Sequence, residues 1–166
     1  MAKEFFIEFN KDTVSQWLDI PSVKALSQQY EECYEEFCNS KGWTLTIKRN
    51  ATYVLMHTFD HLLIKQMSMA SGYSSSAIRE RIYFSEKMTG ILLYTGSADK
   101  EGSLGGLVEL GNTSKLISLM KDAFQEALLC TNDPECMNNA PAGNNLNGAA
   151  CHSCCMISET ACENGN

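Results

Sequence analysis

Six cysteines crowd the stretch from Cys130 to Asn166, in "CTNDPEC" and "ACHSCCMISETAC", among many asparagines and very few large apolar residues. Such a segment cannot bury enough apolar surface to offset the entropy of ordering its own chain. Something other than a hydrophobic core must hold it, and the thiols are the groups able to do so. They could act as metal ligands, as a disulfide framework or as a redox centre.

The rest of the chain bears on that choice. At 166 residues with 44% hydrophobic and 20% charged content, it has the size and balance of one globular domain. No apolar run reaches the roughly 18–20 residues that span a bilayer. The opening "MAKEFFIEFN" has neither an apolar h-region nor a small-residue cleavage site. A reducing, cytoplasmic setting is therefore expected, and there eight cysteines do not favour four disulfides. A thioredoxin-like centre would want its CxxC at the start of a helix in a βαβ setting, which the tail lacks. An iron–sulfur cluster stays open, since four thiolates suit it as well.

Cys151 and Cys154 form a CxxC, a turn that lets two sulfurs reach one ion at about 2.3 Å. Cys130 and Cys136 flank a second turn. Zinc suits four thiolates because it is soft enough for sulfur and has no redox chemistry. These four are the first choice of ligands, and Cys162 is the best substitute. Cys155 is expected to point away, because adjacent residues rarely both ligate one ion; His152, inside the CxxC, is a weaker candidate. Cys33 and Cys38 read as core or surface thiols.

Ahead of the tail, "EFFIEF" reads as a strand. "DTVSQWLDIP" reads as a short helix capped by Asp12 or Thr13 and ended by Pro21. Residues 22–38 place Val23, Leu26, Tyr30, Cys33, Tyr34 and Phe37 on one helical stripe that Gly42 stops, and "WTLTIKR" alternates as a strand. Asn50 should cap the longest helix, apolar nearly all round and hence central, with Gly72 at its end. "SSSAIRERIY" suggests a short helix with a serine cap and Glu80 near the first turn. "GILLYTG" suggests a buried strand. "SADKEGSLGG" suggests a loop feeding a helix from about Ser103 or Leu104. "TSKLISLMKDAFQEALL" suggests a helix capped by Thr113. The expected architecture is α+β: a small sheet packed by several helices over residues 1–129, with a cysteine-rich, zinc-bound lobe over residues 130–166.

Other chemistry finds less support. His57 and His61 stand at i and i+4 on one helix face, which is metal-ligand spacing. The glutamate of an HExxH motif is replaced by Thr58, Asp60 projects about 100° away, and no third ligand is evident. A metal-dependent hydrolase or nuclease built on this pair is thus an alternative to buried, hydrogen-bonded histidines. Arg79 and Arg81, with Lys48, Arg49 and Lys65, form the one basic group, and internal ion pairs with Glu80, Glu86 or Glu101 account for them more simply than a phosphate contact. "TGSADKEGSLGG" lacks the residues of a P-loop, and Asp99 and Glu101 would repel a phosphate. With a net charge of −7 the domain has no general attraction for a nucleic-acid backbone.

Taken together, "HTFDHLLIKQMS", "SGYSSSAIRERIY", "GILLYTGSADKEGSLGGLV" and "NGAACHSCCMISETACE", in that order, resemble the zinc-binding domain at the C-termini of MrfA-like DNA-repair helicases. The likeness is closer to the version carried by the B subunit of DISARM phage-defence systems. It runs from about Tyr53 to Cys162, roughly two thirds of the chain. The resemblance implies a noncatalytic, helicase-associated module that works with a superfamily 2 helicase, with DNA as a further partner. It also implies a zinc ion held by four of Cys130, Cys136, Cys151, Cys154 and Cys162. Cys155 stands where the family usually has a larger apolar residue. Family members continue past this point, so the ending "CENGN" suggests a fragment of a longer protein. A third function, an adaptor that docks a helicase through protein contacts alone, stays open beside these.

Overall fold

In a computed structural model, residues 4–45, 49–72, 74–85, 88–95, 109–143, 146–148 and 150–164 are described. Strand β1 (Glu4–Glu8) leads into helices α1 (Lys11–Leu18), α2 (Pro21–Lys41) and α3 (Ala51–Ser71). A single 3-10 turn (Ser75–Ala77) opens β2 (Ile78–Phe84), followed by β3 (Thr89–Thr95) and α4 (Thr113–Ala127). The three strands form one antiparallel sheet in the order β1-β3-β2. The fold is α+β.

The helix ends follow local chemistry more closely than the composition around them. Asn10 caps α1 by accepting from the Thr13 backbone N–H at 2.9 Å, in place of Asp12 or Thr13. Pro21 begins α2 rather than only ending α1, as its fixed φ and missing N–H allow at the first helical position. Asn50 caps α3 through the Tyr53 N–H, and Gly72, at φ +72°, closes it in a conformation that a side chain would disfavour. Asn112, not Thr113, caps α4.

The segment "SSSAIRERIY" departs from the expected helix. Ser74 caps only the 3-10 turn, and Ile78–Phe84 pairs with β3 as a strand. Its alternation decides this: Ile78 and Glu80 are buried, whereas Arg79 and Arg81 are exposed. Trp43, Thr44 and Leu45 of the expected "WTLTIKR" strand are irregular. Thr46–Lys48 lie outside the described residues, as do Ser103 and Leu104 of the expected helix start and most of the "TGSADKEGSLGG" loop.

Helix α3 lies across the sheet, its Met56, Phe59, Leu63, Ile64 and Met67 packed with Ile78, Ile91 and Leu93 of the strands. Leu119 of α4 joins the same core. The register sets Phe5, Leu93 and Glu80 side by side on the inner face, and Ile7, Ile91 and Ile82 beside them. Gly90 has no room for a Cβ, because the Phe6 ring and the Ile7 carbonyl occupy that space. The tail also contributes to this core through Ile157, Ala161 and Cys162. No helix among the described residues is long and apolar enough to cross a membrane.

Candidate metal centres

Two turns in the tail bring four sulfurs together. In the first, the Asp133 N–H reaches the Cys130 carbonyl and the Cys136 N–H reaches that of Asn132. In the second, the N–H groups of Cys155 and Met156 both return to the Cys151 carbonyl, at 2.9 and 3.0 Å. The Sγ atoms of Cys130, Cys136, Cys151 and Cys154 then all lie within 4.8 Å of one another. Three of the separations are 3.6 Å (Cys130–Cys151), 3.7 Å (Cys136–Cys154) and 3.8 Å (Cys151–Cys154).

These distances test a metal directly. Four sulfurs at about 2.3 Å from a tetrahedral zinc ion stand ~3.8 Å apart, whereas a disulfide would bring two of them to about 2.0 Å. The surroundings also favour thiolates. Cys130 accepts the Asn132 backbone N–H, Cys151 accepts the Asn132 side-chain amide, and Cys154 accepts the Cys151 N–H, each at 3.4 Å. Backbone N–H groups of Cys154 and then Ser153 outweigh burial and bring the Cys151 thiol down to about 6. Burial, and then the neighbouring sulfurs, push Cys136 up. The residues fit zinc. Once bound by four thiolates it has no open coordination position, so it supplies a crosslink.

Helix α3 holds the second turn in place. Lys65 Nζ donates to the carbonyls of Ser153 and Cys154, at 3.1 and 2.9 Å. Cys155 turns away from the tetrad, its sulfur 3.9 Å from the Thr58 carbonyl of the same helix. His152 is exposed. Between the turns, the Pro141 carbonyl accepts from Gln29 and Cys33 of α2.

Cys162 is separate from the tetrad. It joins a second cluster with His57, His61 and Glu80, whose ligand atoms also lie within 4.8 Å of one another. His57 Nε2 is 3.2 Å from Cys162 Sγ and 3.3 Å from Glu80 Oε1, and His61 Nε2 is 3.5 Å from the same oxygen. The β2 edge brings Cys162 there: the Glu80 N–H bonds the Ala161 carbonyl, the Glu163 N–H bonds Glu80 Oε1, and the Ile82 N–H bonds the Glu163 carboxylate. Burial opposes a charge on Glu80, but His57 and His61 outweigh it and hold the carboxyl below its ordinary range. Burial likewise opposes charge on His61, yet the Cys155 and Cys162 sulfurs and Glu80 push it up to about 12. Asp60 goes the other way, raised by burial and by Glu80 beside it.

Sequence reasoning found the histidine pair but not its partners. Glu80 was masked by a serine-rich lead that mimics a helix cap, although Ile78, Glu80 and Ile82 do alternate at period two. The basic residues also find separate roles. Arg79 and Arg81 project from the opposite side of β2 to Glu80, so no ion pair with it forms. Glu86 and Glu101 lie outside the described residues. Arg49 lies over the Tyr34 and Tyr53 rings and donates to Asn164.

Comparison with known proteins adds an independent finding. The family model described as the MrfA Zn-binding domain matches residues 59–155. All four tetrad cysteines fall within that range, whereas His57 and Cys162 fall outside it. The DISARM protein DrmB of Bacillus paralicheniformis (strain ATCC 9945a / NCIMB 11709 / CD-2) is 52% identical over 163 residues. That match covers 97% of this chain and 29% of the relative, so the chain spans less than a third of that protein's length.

Proposed function

Since the chain belongs to the MrfA Zn-binding domain family, we propose that it is a noncatalytic, zinc-held accessory domain of a larger DNA-processing or anti-phage assembly. The observation that carries this reading is the sulfur tetrad. Its spacing matches a closed zinc site, and it orders a tail that has little apolar surface of its own. The similarity to a DISARM protein supports the defence setting, and the MrfA relation supports a superfamily 2 helicase as the partner. The domain would then work in the cytoplasm, where its thiols stay reduced. DNA contact through this domain is secondary, because its net charge of −7 repels a phosphate backbone.

The test is co-purification with any superfamily 2 helicase found encoded beside its gene. The unaltered protein is expected to retain the helicase in a zinc-dependent manner, and Cys154→Ser to release it. Tight, salt-sensitive DNA binding without helicase retention would sink the docking role in favour of a nucleic-acid one.

A second reading has one observation in its favour. His57 and His61 line a cavity of about 390 Å³, shared with Tyr53, Arg49 and Asn164, next to a carboxylate and a thiol. A metal-dependent nuclease or hydrolase would use that cavity. DNA cleavage supported by divalent metal and abolished by His57→Ala would establish it; no cleavage by the unaltered protein would end it.

A further inference from the structure

The second cluster is composed of metal-ligand groups, and the tetrad reading leaves it without a role. The geometry points to a second metal site here, in which His57, His61, Glu80 and Cys162 hold a divalent first-row transition ion, with zinc the best match, as a buried crosslink.

Four observations carry it. At ligand bonds of about 2.0–2.3 Å, the atoms of a tetrahedral site stand roughly 3.3–3.8 Å apart. Three of the separations here are 3.2, 3.3 and 3.5 Å and all lie within 4.8 Å, with two imidazole Nε2 atoms, one carboxylate oxygen and one sulfur converging. Hydrogen bonding alone does not satisfy the cluster. Buried His61 Nε2 has no hydrogen-bond partner among the described residues, and the Glu80 Oε1 it faces already takes the Glu163 N–H at 2.9 Å. A cation placed among the four atoms would satisfy both nitrogens at once.

The donor set is selective. Imidazole and thiolate suit zinc and its first-row neighbours, and a single carboxylate does not satisfy magnesium or calcium. The outer groups include one that a ligand needs: Glu80 Oε1 is braced by the Glu163 N–H. The supports are rigid, since the histidines lie one turn apart on the central helix and Glu80 sits on the inner face of the sheet.

The ion would crosslink rather than catalyse. Four protein groups fill a tetrahedral site, whereas a catalytic zinc keeps one position open. Side-chain exposure is 21% for His57, 5% for His61 and 0% for Glu80, and Cys162 is 7% exposed, so little solvent reaches the centre. Bound there, the ion ties the C-terminal segment to α3 and β2, beside the backbone bond from Glu80 to Ala161.

The experiment is metal analysis of the intact protein purified without chelator, followed by cobalt(II) substitution. About two ions per chain are expected. Cys162→Ser or Glu80→Gln should remove one and spare the tetrad, and Cys154→Ser should remove the other. Cobalt should show two sets of bands: an intense one for four thiolates, and a weaker, shifted one for a single thiolate that vanishes in Cys162→Ser. Should the buried variants fail to fold by circular dichroism, His57→Gln, at the partly exposed position, replaces them. A single ion lost with Cys154→Ser, with no second cobalt band on adding excess metal, overturns the second site and leaves the tetrad standing. Two ions with neither lost in Cys162→Ser, Glu80→Gln or His57→Gln overturns it as well.

Discussion

The tetrad and the mixed cluster collect four ligand atoms each, by opposite routes. The tetrad draws all four sulfurs from two short turns of the tail, Cys130–Cys136 and Cys151–Cys154. The mixed cluster takes one pair of side chains from α3, one from β2 and one from the far end of the chain, 105 residues beyond His57. In the first, an ion would make the local fold; in the second, the fold already makes the site. Each therefore answers differently to damage. A tail with few apolar residues has little to fall back on when its ligands go, whereas α3 and the sheet keep Met56, Leu63, Ile78 and Leu93 whatever becomes of the histidines.

The largest expected effect is that of Cys154→Ser. Structural zinc in small domains is worth about 10–16 kcal/mol of apparent binding energy, and losing a ligand forfeits a large share of it. Hydrogen exchange should lose protection over residues 130–156 while α3 and the sheet keep theirs. A simultaneous collapse of both regions would erase the contrast.

Glu80→Ala comes next. Removing one member of a buried charged cluster costs about 3–5 kcal/mol, because the histidines it leaves stay buried. Urea unfolding should show the loss with the tetrad ion still bound. Next is Leu63→Ala, at the fully buried centre of α3, with a cost of about 2–5 kcal/mol from lost contacts and a cavity. It should shift global unfolding and leave zinc stoichiometry unchanged; loss of the tetrad ion would show that the tail depends on the core after all. Asn50→Ala removes the α3 cap and should cost only ~1 kcal/mol. Arg79→Ala, on the exposed side of β2, should leave the unfolding midpoint unchanged.

Much of the fold was legible because its signals are local. The stretch from Ala51 to Ser71, apolar nearly all round the helix and bounded by Asn50 and Gly72, reads as the central helix without reference to any neighbour. "GILLYTG" between glycines reads as a buried strand for the same reason. Misassignment fell where two local signals competed. In "SSSAIRERIY" the serines signal a cap, and a cap they are, but for a single turn. From Ile78 onward the chain is held as a strand by β3 on one side and by Ala161 and Glu163 on the other. Those partners are distant in sequence, and no local propensity reports them.

The same division separates the metal chemistry. The CxxC at Cys151–Cys154 and the turn between Cys130 and Cys136 appear in the sequence because a ligand pair on one turn needs a set spacing. The i, i+4 pair of His57 and His61 appears for the same reason. By itself the sequence determined the α+β class, the central helix, the tail's need for a crosslink and the two pairs of sulfurs that could supply it. Only the tertiary structure decided where Cys162 goes and what stands opposite the histidines. Strand register placed Glu80 on the inner face, and the tail, pairing along the edge of β2, carried Cys162 to it. Register and edge pairing are settled by burial across the whole domain, which no window of the sequence contains.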